Sequence, residues 1–288
     1  KSNKTYQKMF FLEEERPFGI QIYGGNECSM ENAAKMAEEL HPDIIDINCG
    51  CWVKNVANRG AGAGLLRDLP KMREIISTTV NAVTIPVTVK TRLGWDEKNI
   101  QIVDVAKMVE DCGAKALTIH CRTRAQGHSG TADYRWIPEV KNAVQIPIVV
   151  NGDITSPQIA KRVFDETGCD GIMIGRGAIN NPWIFQEIKH YLKTGELLPP
   201  ITIFDKIETM KEHLKIATEH KGERRGVLEF RKYYSGYLRS AHSVAALRAE
   251  LMKYVTVEEV FQTIDWYARK ISERNEKEIE HSMKYVLE

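Results

Sequence analysis

From residue 17 to about residue 195 the chain alternates between short apolar runs and longer amphipathic ones. Six apolar runs stand out, at residues 18–23, 44–48, 87–91, 116–120, 146–151 and 171–175. Each is rich in Ile, Val and Leu without strict alternation, the pattern of strands covered on both faces. Helix-start signals lie between them. Ser29 precedes the run to Leu40, and Asp68 with Pro70 opens the run to about Thr79. Ser156-Pro157 sets a capping hydroxyl before a proline at the first helical position, and Asn181-Pro182 repeats the device. Strand, loop and helix recurring six times predict a parallel sheet. The recurrence, roughly every 30 residues, matches one β/α unit of an eight-stranded barrel.

A doubly wound open sheet would show the same alternation, but it uses mainly the strand ends beside its switch point. Here polar and glycine residues stand at the carboxyl ends of nearly all six runs: Gln21 and Gly24, then residues 48–51, 90–94, 120–124, 151–153 and 175–177. A barrel gathers every strand end on one rim. The expected fold is therefore α/β, a (β/α)8 TIM barrel. After Pro199-Pro200 strand signals stop, and helical segments are expected near residues 205–220, 224–239, 244–253 and 257–273, with Thr256 and Glu259 as a capping box. Two domains are expected: residues 1–199, the catalytic barrel, and residues 200–288, a helical bundle. The charged stretch 275–288 is expected as a fraying helix.

Charge changes the picture in one place. With 40 basic and 39 acidic residues the net charge is +1, so no global basic field marks a nucleic-acid binder. Between residues 206 and 253, however, 11 basic residues face 6 acidic ones. Arg225, Lys232 and Arg239 are spaced by seven, as are Arg224 and Arg231, close to two helical turns. This predicts one basic face suited to phosphate contact, with Val227, Leu228, Tyr234 and Leu238 as the opposite, core stripe. Six cysteines without metal-ligand spacing suit reduced thiols, and no apolar run approaches the ~20 residues that span a bilayer. A cytoplasmic, monomeric protein without membrane or metal is expected.

The strand ends carry the candidate chemistry. Asn48-Cys49-Gly50-Cys51-Trp52 runs into the small-residue segment 59–64, where a ligand can approach the backbone closely. Cys51, on the rim, can serve as nucleophile or general acid. Lys90 ends an apolar strand and must bring its charge to a partner. Arg92 follows it. His120 closes the next strand ahead of Arg122 and Arg124. Asn151-Gly152-Asp153 and Gly175-Arg176-Gly177 sit where such barrels build phosphate sites.

These runs, together with residues 19–24, 89–95, 181–185 and 221–225, closely resemble the tRNA-dihydrouridine synthases, most of all the bacterial B-type branch, in the same order along nearly the whole chain. The resemblance implies FMN held in the barrel mouth, NADPH as reductant and tRNA as substrate. It implies that Gln21 and Lys90 contact the flavin ring, and that Asn151, Gly152, Asp153, Gly175 and Arg176 hold the ribityl chain and phosphate. His120 and Arg122 would line the flavin and substrate pocket, with Asn48, Arg92 and Arg124 beside the substrate. Arg224, Arg225, Arg231 and Lys232 would contact the tRNA. Cys51 matches the proton donor. Reducing the C5–C6 bond of uracil needs a hydride at C6 and a proton at C5, and a free thiol with pKa ~8.5 is still protonated at neutral pH.

Two departures stand against the family pattern. Trp52 follows Cys51 where proline is usual, so φ is not fixed by a ring and the loop must be held otherwise. The family also opens with elements that precede Lys1, roughly 50 residues at ~30 per unit. A polypeptide starting there is expected to fold poorly and retain FMN weakly. Two other classes stay open: a flavin oxidoreductase acting on a small molecule, and a non-catalytic RNA-binding fragment.

Overall fold

The computed structural model describes residues 9–239 and 243–287, without the side chains of residue 275 and residues 277–287. It divides into two compact units, residues 1–175 and 176–288.

The first unit holds a six-stranded sheet of β1 (Gly19–Ile22), β2 (Ile44–Asn48), β3 (Val87–Arg92), β4 (Leu117–His120), β5 (Ile148–Asn151) and β6 (Gly171–Met173). All neighbours are parallel, and the spatial order is the order in sequence. A doubly wound sheet reverses order at its switch point. This one does not, so that alternative is excluded.

The two faces of the sheet differ sharply. Ile20, Ile22, Ile45, Ile47, Val87, Val89, Leu117, Ile119, Ile148 and Val150 are buried. The helices supply matching apolar faces, including Met30 and Ala34, Met72 and Ile76, Val105 and Val109, Val140, and Val163. Each such side chain contributes about 1.5–3 kcal/mol when fully buried. The alternate positions Gln21, Asp46, Asn48, Thr88, Lys90, Thr118, His120 and Asn151 form the other face, which is polar. Several of these, among them Asn48, Lys90, His120 and Asn151, stand at or near the carboxyl ends of their strands.

Helix caps follow the sequence with two exceptions. Asp68 accepts the Lys71 N–H ahead of the helix Leu69–Ala82, and Ser156 accepts the Ile159 N–H ahead of Pro157–Thr167. The helix Glu27–Glu38, however, is capped by Asn26, which accepts the Ser29 N–H. Ser29 is thus inside the first turn rather than before it. Asn181 likewise does not cap: its Oδ1 accepts the Trp183 N–H at 3.2 Å, and the helix Ile184–Thr194 starts only after that turn.

Among its described residues, the regular elements of the second unit are all helices. It begins at Arg176, 24 residues before the expected boundary at residue 200. The reason lies in packing: a Cβ on Gly236 would meet Ile179 O at 2.7 Å, and Trp183 packs edge-on against Tyr237 at 6.0 Å. The segment before Pro199-Pro200 therefore rests on the helices after it. Ile207, Met210, Leu214, Val227, Phe230, Tyr234, Tyr237, Leu238, Leu251, Val260 and Ile264 form its core. The helix Ile203–Lys221 is capped by Thr202, and Thr256 with Glu259 forms the expected capping box. The last helix runs Val257–Leu287, and residue 288 lies outside the described residues.

The basic face is not continuous. The helix Glu223–Phe230 gives way to a 3-10 turn, Arg231–Tyr233, which changes the angular step per residue. Arg231 donates Nη2 to the Tyr254 carbonyl at 3.2 Å, and its Nε is buried. Arg224, Arg225 and Lys232 are exposed, Arg225 paired with Glu229 at 2.7 Å. The core stripe also differs: Leu228 is 36% exposed, and Phe230 and Tyr237 take the inward positions.

Candidate active site

The polar face carries a hydrogen-bond chain across three strands. Asp46 accepts from Thr88 Oγ1 at 2.7 Å and from Gln21 Nε2 at 2.7 Å. Gln21 Oε1 accepts from Asn48 Nδ2 at 2.6 Å. Asn48 Oδ1 accepts the N–H groups of Gly50 at 3.0 Å and Cys51 at 2.9 Å. Asn48 thus ties the turn that carries Cys51 to Gln21 on the neighbouring strand. Burial pushes the Asp46 carboxyl up despite its donors. Asp46 was missed in the sequence, although a carboxylate between Ile45 and Ile47 marks the inner face by alternation.

Cys51 is half-buried in this turn, and its carbonyl accepts the Ala63 N–H at 3.1 Å. Gly62 has φ +56°, and a Cβ there would lie 2.8 Å from Cys51 Cβ. Gly62 therefore makes room for Cys51 itself, while Gly64 lets the chain close on Ala57. Cys49, by contrast, is fully buried, and burial pushes its thiol far up.

Lys90, next to Asn48 in register, extends Nζ to Asn151 Oδ1 at 3.3 Å, and Asn151 Nδ2 donates to the Met173 carbonyl at 2.8 Å. Burial, then the charge of Arg92, lowers the Lys90 pKa. His120 faces Asn151 and Arg92 on adjacent strands. Burial, followed by Arg92, Lys90 and Arg122, presses its pKa down to about 3, so the ring is neutral at pH 7. Arg122 Nη1 lies 3.4 Å from His120 Nε2. An arginine only donates, so Nε2 accepts and Nδ1 carries the proton.

Two arginines expected at the substrate are spent inside the protein. Arg92, 3% exposed, donates to the carbonyls of Gly50 at 2.8 Å, Thr123 at 3.0 Å and Gly127 at 2.9 Å. Arg122, 2% exposed, donates to the carbonyls of Ser129 and Gly130 and to both oxygens of Asp153, at 2.9 and 2.7 Å. Asp153 also accepts the Ala132 N–H at 2.8 Å. Its carboxylate is an anchor for Arg122 and would repel a phosphate. Arg124 stacks over Trp95, 4.4 Å from the ring centroid, with Arg67 also over that ring at 4.9 Å. Gly152, at φ +128°, would set a Cβ 3.3 Å from His120 Cδ2, so glycine lets this loop close on the imidazole.

Trp52 lays its indole over Gly127 and meets His128 edge-on at 5.3 Å. His128, exposed and 6.3 Å from His120, gave no motif to find it by. Gly175 ends the first unit, and Arg176 opens the short helix Arg176–Asn180 of the second. Among the described residues no cluster of His, Cys, Asp and Glu could hold a metal, and no helix is long and apolar enough to cross a membrane.

A sequence-ordered parallel sheet with amides, a half-buried lysine, a neutral histidine and a thiol at its carboxyl tips defines a β/α-unit protein with its candidate site on that face. The chain belongs to the dihydrouridine synthase (Dus) family, whose model matches residues 1–274. It is 41% identical over 259 residues to the probable tRNA-dihydrouridine synthase 1 of Synechocystis sp., spanning 90% of this chain and 73% of that one. It is 43% identical over 249 residues to tRNA-dihydrouridine synthase B of Pseudomonas aeruginosa, spanning 86% and 75%. It is 44% identical over 238 residues to tRNA-dihydrouridine synthase B of Proteus vulgaris, spanning 83% and 74%.

Proposed function

We propose that this chain reduces the C5–C6 double bond of uridine in tRNA to dihydrouridine, using FMN bound on the polar face, NADPH as reductant and Cys51 as the proton donor. The observation that carries this reading is the turn at the end of β2, where Asn48 holds the backbone of Cys51 beside Gln21 and Lys90. The six strands are, on this reading, an arc of a (β/α)8 barrel.

The donor set fits a flavin. Lys90 has three N–H donors and, at Asn151, a neutral acceptor for one of them, so it can also serve a carbonyl or an electron-rich ring edge. The amides of Gln21 and Asn151 and the Nδ1–H of His120 are uncharged groups suited to a polar heterocycle. Gly152, Gly175 and Arg176 are kept for the ribityl chain and phosphate by family resemblance. FMN, once reduced by NADPH, supplies the hydride that uracil takes at C6.

The chain's own residues do the rest. Asn48 holds the Cys51 backbone, and Gly62 leaves space for the thiol. Cys51 Sγ–H gives its proton to C5 as C6 is reduced, which adds one hydride and one proton in total; solvent then returns a proton to sulfur. Lys90 and His120 orient the reacting ring. The exposed cations Arg224, Arg225 and Lys232 contact the tRNA backbone, a role Arg231 leaves to them because its guanidinium is turned inward.

The test is dihydrouridine formation on unmodified tRNA with FMN and NADPH, read by nucleoside mass spectrometry. Cys51→Ala should lower the rate by at least about 100-fold, within the 10²–10⁴ range of general acid catalysis, while flavin absorbance stays with the protein. Wild-type rates in Cys51→Ala would remove the thiol from the mechanism. Reduction of small enones but not of tRNA would move the protein to the small-molecule class.

A further inference from the structure

We infer that Trp52 is a positioning residue: its indole, seated on Gly127 and edged by His128, locks the turn that carries Cys51 to the loop leaving β4. This rests on the reading of Cys51 as proton donor.

The upstream side of Cys51 is anchored by polar contacts. Asn48 takes its N–H at 2.9 Å, and Arg92 Nε takes the Gly50 carbonyl at 2.8 Å. Downstream, the Cys51 carbonyl accepts the Ala63 N–H at 3.1 Å, and beyond it the chain relies on packing. Residues 52 and 53 lead into the short helix Lys54–Ala57, whose N-cap, Val53, offers no side-chain hydrogen bond. A tryptophan does not restrict φ as a ring-closed residue does. What it offers is surface, and that surface has a fitted seat. Gly127 sits at φ +57°, and a Cβ there would lie 3.1, 3.3 and 3.3 Å from three indole carbons. Only glycine suits both the backbone and the ring above it.

The seat itself is rigid. The Gly127 carbonyl accepts Arg92 Nη1 at 2.9 Å, from the same guanidinium that holds Gly50. Arg92 therefore staples the two loops at a polar point on one side of Cys51, and Trp52 joins them at an apolar point on the other. Added to the bonds on the Cys51 N–H and carbonyl, these two separated contacts suppress rotation of the residue between them. The His128 ring, 77° from the indole plane, closes the exposed edge, although Trp52 stays 40% exposed. Proton transfer demands heavy atoms within hydrogen-bond reach, and a ~1 Å misplacement can cost about 100-fold in rate.

The experiment uses the full FMN-loaded chain and two readouts. The first is the iodoacetamide alkylation rate of Cys51, followed by the mass of its peptide so that Cys28 and Cys112 do not interfere. The second is single-turnover dihydrouridine formation, measured beside the NADPH-driven bleaching of bound flavin. Trp52→Ala should speed alkylation about fivefold or more and slow dihydrouridine formation about 10- to 100-fold, with flavin reduction within about twofold of wild type. Trp52→Phe, which keeps a ring over Gly127, should bring both readouts back to within about threefold of wild type.

Three results overturn the inference. One is Trp52→Ala matching wild type in both readouts. Another is slowed turnover with unchanged alkylation, which would make Trp52 a substrate contact. The third is equal loss of flavin reduction, which would make its role general to the fold. Failure of the Cys51 reading is separable, because Cys51→Ala tests it directly while alkylation of the Trp52 variants reads loop position without any catalysis.

Discussion

Arg92→Met separates a structural arginine from a ligand-binding one. The guanidinium is 3% exposed and serves three backbone carbonyls, those of Gly50, Thr123 and Gly127. A buried acceptor left without a donor costs about 1–3 kcal/mol, so the three together cost about 6 kcal/mol. Removing the cation gives something back. Burial holds the Arg92 pKa down to about 10 from 12.5, and at ~1.4 kcal/mol per unit this is about 3 kcal/mol of penalty that methionine does not carry. The sign is clear: the folded-state pKa is depressed, so the charged form weighs against folding at neutral pH. The net expectation is a loss of about 3 kcal/mol, or about 6–12 °C in the melting of a unit of this size.

The assay is thermal unfolding by circular dichroism, paired with tRNA affinity across a salt series. A phosphate-contacting arginine would give the opposite signature: unchanged melting, and a log–log salt slope smaller by about one. If Arg92→Met melts within about 2 °C of wild type and the salt slope falls, the bracing argument is refuted. Arg92→Lys should fall between, since a lysine keeps the charge but cannot span three carbonyls as a fork does.

Two further substitutions test the electrostatics of the site and the packing of the second unit. His120 has a folded pKa near 3 against ~6.5 unfolded, so as pH falls below ~6.5 the unfolded state takes up a proton that the folded state refuses. The urea stability of wild type minus that of His120→Asn should therefore shrink by up to about 1.4 kcal/mol per pH unit from pH 6.5 to 5; a difference flat over that window would sink the assignment. Gly226→Ala should destabilise the second unit by about 1–3 kcal/mol although alanine favours helix by ~1 kcal/mol, because the new Cβ would sit 2.7 Å from Thr218 Cα. Unchanged or raised stability by urea unfolding would show that the helix pair yields.

The strands, their parallel sense and the polar groups at their carboxyl ends were legible because each rests on a local pattern. Apolar runs such as Ile44–Asn48 announce themselves, and Asn48 to Cys51 follows directly. Arg92 and Arg122 were not legible in the same way. An arginine at a strand tip looks alike whether it meets a phosphate or a carbonyl, and its carbonyls here come from residues up to 42 positions away. The anchoring of Arg122 by Asp153 was hidden for a related reason, since the two lie 31 residues apart. The heptad of basic residues failed at Arg231 because regular spacing assumes a regular helix, and the helix changes type there.

The division of labour among the tip cations gives the site its character. Lys90, Arg92 and Arg122 all act on His120, and together with burial they keep it neutral. Such a concentration of like charge is tolerable only if most of it is spoken for. Arg122 is matched by the Asp153 carboxylate, and Arg92 by three carbonyl dipoles. Lys90 has a side-chain amide, that of Asn151, as its acceptor. A positive environment built this way is preorganised: its arginines cannot swing toward a ligand, so they add a standing field without competing for contact. Directional bonding then falls to Lys90, Gln21 and Asn151, which bond along the polar face: Lys90 to Asn151, Asn151 to the Met173 carbonyl, and Gln21 to Asp46 and Asn48. That separation, fixed field from the loops and adaptable donors from the strands, is what an electron-rich ring needs if it is to be held while its neighbour gains a hydride on one carbon and a proton on the next.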